Sequence, residues 1–96
     1  MTDLPGLTRS YRAGFLRYLS RRDEAPLNSG YELGRSAVAA GVSVLDLARI
    51  HHEVLLEVLQ DTSREELTAV ATAAADFFLE VLATYDMAQR AFLKGT

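Results

Sequence analysis

The stretch SVLDLARIHHEVLLEVLQDTSREEL, residues 43 to 67, carries one signal twice. Ser43 stands three residues before Asp46, and Ser63 three before Glu66. At that spacing a serine hydroxyl accepts from a free backbone N–H at a helix start while the acidic side chain reaches back. The first signal predicts a helix over about 44 to 60. The second opens another that runs from about 64 to 93 without Gly or Pro. On a wheel of about 100° per residue the first of these gathers Asp46, Arg49, Glu53, Glu57 and Gln60 into one arc. Everything else on it is apolar except His51 and His52. His51 falls beside Leu47, Val54 and Leu55 near the middle of the apolar face, and His52 at its flank beside Ala48, Leu55 and Leu56, so both are expected to be largely buried.

A helical metal site needs ligands three or four residues apart, so that two side chains converge on one ion. His51 finds Leu47, Ala48, Val54 and Leu55 at those spacings, and His52 finds Ala48, Arg49, Leu55 and Leu56. No metal, cofactor or catalytic role is therefore expected; general-base work would also need a nucleophile that the sequence does not nominate. A core imidazole is the plain reading. A sensing role for His51 is the alternative, and charging it in apolar surroundings would loosen the fold in mild acid.

Working outward, the last helix carries Leu67, Ala71, Ala74, Phe78, Val81, Tyr85, Ala88 and Phe92 at alternating spacings of four and three, a heptad seam. Its first half is expected to be bundle core. Thirty residues span ~45 Å against ~25 Å for the helix before it, so the far end should overhang and meet a second copy or continue into a further segment. Leu79, Ala83 and Met87 form a separate stripe among Asp76, Glu80 and Asp86, expected to face outward and to suit an adaptable partner contact.

Toward the N-terminus, Gly41 is a natural left-handed stop for a helix over about 25 to 40. Its start is open: Ser29 with Glu32 has capping-box spacing, while Leu27 and Tyr31 would pair on an earlier start. Gly30, Gly34, Ala37 and Gly41 make a small-residue edge that predicts close approach of another backbone, since each Gly inside a helix costs ~1 kcal/mol against Ala. Leu4, Leu7, Tyr11, Phe15, Leu16, Tyr18 and Leu19, with arginines between, give an amphipathic first helix over about 7 to 21. Pro26 separates the two.

The 96 residues leave room for one domain, 1–96: an all-α, antiparallel four-helix bundle with a long C-terminal helix. There is no Cys, which excludes disulfides and thiol chemistry. No uncharged apolar run reaches the ~18 residues a bilayer requires, and no basic-then-apolar leader opens the chain, so a cytoplasmic protein without a membrane role is expected. Residues 1–22 carry five Arg against Asp3, a charge of +4, while 23–96 carry five basic and twelve acidic groups, −7. A basic first helix could touch nucleic acid, but an overall pI near 5.3 argues against it.

YELGRSAVAAGVSVLDLARIHHEVL, residues 31 to 55, followed by a long helix bearing YDMAQRAF, resembles the N-terminal domain of RsbU-type phosphoserine phosphatases. The likeness covers about residues 7 to 93 and rests on positions such as Arg35, Ile50, His51, Leu55, Tyr85, Met87 and Ala88. It implies a non-catalytic four-helix domain that homodimerises and binds a switch kinase of the RsbT type. Binding would pass through the last helix to a phosphatase acting on an anti-sigma-factor antagonist in bacterial stress signalling. The partner surface it implies falls near Asn28, Leu79 and Ala83, of which the last two belong to the outward stripe. Asn28 is polar where a bulky contact is expected. The alternative function is a helical domain that senses a small molecule or proton in a pocket near His51.

Overall fold

The computed structural model describes residues 4–20 and 27–94, which form four α-helices and no strand. They are α1 (Leu4–Ser20), α2 (Asn28–Ala39), α3 (Val44–Gln60) and α4 (Leu67–Lys94), with a single 3-10 turn, Arg64–Glu66, leading into α4. The end expected for α1 near 21 and the region before Leu27 lie outside the described residues. Ser43 caps α3 as its spacing requires, its Oγ accepting from the Asp46 N–H at 3.0 Å. Ser63 acts differently. Its Oγ donates to the Glu66 carboxylate at 2.9 Å while the Glu66 N–H bonds the Ser63 carbonyl at 3.1 Å, so one 3-10 turn forms first and α4 begins at Leu67.

No Ser29–Glu32 box forms. The first N–H bonded back to this end is that of Tyr31, donating to the Leu27 carbonyl at 3.1 Å, which leaves the Ser29 hydroxyl free to accept from Arg17 at 3.3 Å. At the other end Gly41 takes φ +75°, with the Val42 N–H on the Ala37 carbonyl at 2.9 Å and the Gly41 N–H on that of Val38 at 3.1 Å. This is a Schellman cap, and its apolar pair, Ala37 with Val42, is buried. The Tyr85 hydroxyl donates to the Val42 carbonyl at 2.7 Å and so pins the α2–α3 turn onto α4.

Successive helices alternate in direction, so α2 and α4 run the same way, side by side. The glycine edge explains their closeness. A Cβ built on Gly34 would lie 2.7 Å from both the Thr84 Cβ and the Val81 carbonyl oxygen, and one on Gly30 would lie 3.2 Å from the Glu80 Cγ. Between the helices Tyr11, Phe15, Leu33, Leu47, Val54 and Val81 are buried around Phe77. The Phe77 ring meets Tyr11 edge-on at 5.3 Å and lies 5.6 Å from Phe15 and 5.8 Å from Tyr18.

The buried stripe of α4 departs from the heptad reading. Ala74, Val81 and Tyr85 are core and Phe78 and Ala88 are half-buried, but Leu67 and Ala71, in the half expected to be core, are exposed. Ala73, Phe77 and Thr84 take the inside instead; the side chain of Phe92 lies outside the described residues. A strict seven-residue repeat drifts ~20° per heptad relative to a straight helix, so a straight α4 cannot keep the whole seam inward. By length and composition Arg64–Ala91 could cross a membrane. Here one face of that stretch is the core of the bundle.

Candidate functional site

The contact between Gly34 and the α4 backbone brings α2 and α4 close together, and a trough runs along the outer side of the pair. At one end it is lined by Leu27, Asn28, Tyr31 and Glu80. It continues as a hollow of about 490 Å³ between Tyr31, Arg35 and Val38 on α2 and Met87, Ala88 and Ala91 on α4. Tyr31 belongs to both parts and marks the middle. Arg35 donates to the Tyr31 hydroxyl at 3.1 Å and its guanidinium carbon stands 5.8 Å from the ring centroid. The Tyr31 contact raises the Arg35 pKa further above its ordinary value, although a guanidinium is charged at neutral pH in any setting. At the opposite end Thr84 donates to the Glu80 carboxylate at 3.4 Å.

The residues expected at a partner surface divide between the trough and its margin. Asn28 lines one end and Met87, 65% exposed, the other. Leu79, 66% exposed, and Ala83 stand on the outward face of α4 beside the trough without lining it. Reading the sequence alone does not reach Tyr31 and Arg35 as site residues. Their signal is a Tyr and an Arg four residues apart, each directly after a glycine of the small-residue edge and so ~100° from it, a spacing that lets the guanidinium meet the ring.

His51 occupies a different place. Its Nδ1 lies 2.7 Å from the hydroxyl of Tyr11, a fully buried residue of α1, and its ring stacks on Phe78 of α4 at 4.0 Å between centroids and 5° between planes. One imidazole thus joins three helices. The Tyr11 proton has this nitrogen as its partner, and burial drives the phenol pKa upward, so Tyr11 donates and His51 is the Nε2–H tautomer. Burial, then the neighbouring His52, lowers the His51 pKa. The imidazole is half-buried and lines neither the trough nor the α1–α3–α4 hollow. His52, expected inside, is exposed. The inward residues of α3 are Leu47, Ile50 and Val54, roughly 65° from His51 on the wheel, and at the edge of this face Glu57 takes two nitrogens of Arg12 at 2.8 Å.

That rotation leaves an apolar flank uncovered. On α3, Leu45, Leu56 and His52 are exposed and Ala48, Leu55 and Leu59 half-buried; on α4, Leu67, Ala71 and Ala75 are exposed and Leu82 half-buried. Both stripes lie on the side of the His51–Phe78 contact away from the core, so they border one continuous outer face. A further hollow, of about 460 Å³, opens between Leu16 and Leu19 of α1, Val58 of α3 and Val70 of α4, with Arg12 and Glu57 at its rim.

Among the described residues no three His, Asp or Glu side chains gather as metal ligands would. A family model described as "Phosphoserine phosphatase RsbU, N-terminal domain" matches residues 9–88. No curated protein and no solved structure matches the chain.

Proposed function

The chain belongs to the family of RsbU N-terminal domains, the regulatory part of those phosphatases and not their catalytic domain, and on that premise we propose that it is a non-catalytic docking and relay module of partner-switching signalling. It acts in the cytoplasm, takes a switch kinase of the RsbT type on the outward side of α2 and α4, and passes the event along α4 to an output domain such as a phosphatase. The observation that carries this reading is the closely packed α2–α4 pair, whose outer side holds Tyr31, Leu79 and Met87 exposed together. Large apolar groups kept in water on a rigid support are what a partner surface requires. Titration calorimetry with a purified RsbT-type kinase from the same genome tests it. Leu79→Arg should abolish binding while the helical circular dichroism and melting temperature hold. Full binding by that variant would end this assignment of the surface.

The same proposal includes a homodimer through the outer face of α3 and α4, where Leu45, Leu56 and Leu67 stand in water. Leu56→Glu should turn a dimer into a monomer in sedimentation equilibrium, and a wild-type chain that is monomeric at all concentrations would remove the dimer from the scheme. A second reading, proton sensing at His51, is favoured by the bridge from Tyr11 to Phe78. It needs no pocket, since a proton reaches a half-buried ring directly.

A further inference from the structure

The trough between α2 and α4 carries more information than its apolar walls. Its floor is small or aliphatic, Val38, Thr84, Ala88 and Ala91, and it follows α2, whose 12 residues correspond to ~18 Å or about three helical turns. A groove of that length between two parallel helices fits the ridge of a third helix. Its ends carry opposite charge. Glu80 stands beside Asn28 at one, and Arg35 beside Met87 at the other, with Tyr31 between.

Arg35 differs from the arginines that this fold uses internally. Arg12 gives two nitrogens to Glu57, and Arg90 meets Asp86 at 3.2 Å. Arg35 is in no ion pair among the described residues, yet it is held: one N–H donates to the Tyr31 hydroxyl and the guanidinium approaches the Tyr31 ring. A guanidinium has five donors in a planar fork that matches a carboxylate. Here one is spent on orientation, and the others remain for a ligand. Fixing the fork before binding removes part of the ordering cost of the contact. Tyr and Arg are also the residue types that dominate interface energetics.

On the reading of the α2–α4 side as a docking surface, we infer that Arg35, oriented by Tyr31, is the specificity-determining cation of that surface. It takes a carboxylate from an amphipathic helix of the partner protein, while the apolar face of that helix fills the trough between Tyr31 and Met87. Glu80, at the other end, selects a basic or amide group on the same helix and so sets its direction. A nucleic acid does not fit, because Glu80 would face its phosphates and the chain as a whole carries −3.

The test uses the full chain and the purified RsbT-type kinase from the same genome. Arg35→Glu should weaken binding by roughly 30-fold or more, the loss expected of an interface hot spot. Arg35→Lys should recover only part of that loss, since a point charge lacks the fork. Changing one acidic residue of the kinase to Arg should restore the Arg35→Glu variant and weaken binding to the wild type. Arg35 is exposed, so these variants should keep the wild-type melting temperature. If Arg35→Glu binds within twofold of wild type while Met87→Arg abolishes binding, the docking surface stands and the role of Arg35 is wrong. That role is equally overturned if no single acidic residue of the kinase, changed to Arg, rescues Arg35→Glu. A wild-type chain that does not bind the kinase overturns the docking reading itself, and this inference with it.

Discussion

Lowering the pH from 7.5 to 5.5 should destabilise the bundle through one residue, His51. In the folded chain its Nδ1 accepts from the buried Tyr11 hydroxyl, so the neutral ring is the bonded form. Burial, then His52, holds its pKa below the usual imidazole value near 6.5. The sign follows from proton counting. Above the unfolded pKa both states are neutral and the stability is complete. As pH falls below it, the unfolded chain binds a proton that the folded chain resists, and stability is lost until the folded pKa is passed. The charge that acts on the ring is that of His52; from α1 the ring meets the Tyr11 hydroxyl and from α4 the uncharged face of Phe78.

The size of the effect can be set by substitution. His51→Ala removes a hydrogen bond and leaves the Tyr11 hydroxyl, in a residue with 0% exposure, without an acceptor. A buried unsatisfied hydroxyl costs ~1–3 kcal/mol, and the lost ring contact with Phe78 adds about 0.5–1 kcal/mol. The sum, roughly 2–4 kcal/mol, is a large part of the ~5–15 kcal/mol expected for such a domain. It should lower Tm by about 10–25 °C. Tyr11→Phe alone removes the donor but lets water reach the half-exposed imidazole, so it should cost only ~1 kcal/mol. In the Tyr11→Phe background His51→Ala should then cost clearly less than it does alone. Urea melts of the four species at pH 7.5 and 5.5 measure all of this. A coupling energy near zero, or the same pH slope in wild type and His51→Ala, would refute the bridge.

Two other predictions concern packing. Gly34→Ala should destabilise by about 2–3 kcal/mol, because its Cβ would meet the backbone of α4 at 2.7 Å, whereas Gly41→Ala, with open space but φ +75°, should cost only ~1–2 kcal/mol; chemical denaturation orders the two. Phe77→Ala should cost about 3–5 kcal/mol, and more than Phe78→Ala, because Phe77 is fully enclosed by Tyr11, Phe15 and Tyr18 while Phe78 is half-buried. Equal losses in calorimetric melts would place the centre of the core elsewhere.

The elements were legible because their signals are local. Ser43, Gly41 and the run from Leu67 onward act through hydrogen bonds or backbone angles within a few residues, and each does its expected work without reference to the rest of the chain. Orientation about the helix axis was harder to read. On α3 the apolar arc is wider than the core can cover, so its composition alone cannot choose which side goes in. Long-range contacts choose it: Leu47, Ile50 and Val54 join the core around Phe77, Tyr11 captures His51 at one edge, and the exposed Arg12–Glu57 pair closes the other. His52, one residue and ~100° away, is left in water. On α4 the same limit appears as the seam that fails at Leu67 and Ala71.

The partner surface shows why a stripe found on one helix is only half of a site. Leu79, Ala83 and Met87 can be picked from α4 by spacing, but whether anything stands opposite them depends on which helix lies alongside. Gly30 and Gly34 decide that, because only α2 has an edge flat enough to rest on the α4 backbone at Val81 and Thr84. Once α2 is there, the helix turn that presents glycine inward presents Tyr31 and Arg35 outward, next to Met87. The trough is therefore a consequence of the glycines. A bulkier residue at Gly34 would push α2 away, widen the floor at Thr84 and Ala88, and separate Arg35 from Met87. Gly34→Ala should then weaken partner binding even though residue 34 touches no ligand, and a correctly folded Gly34→Ala chain with unaltered affinity would show that the α2–α4 spacing does not shape the surface.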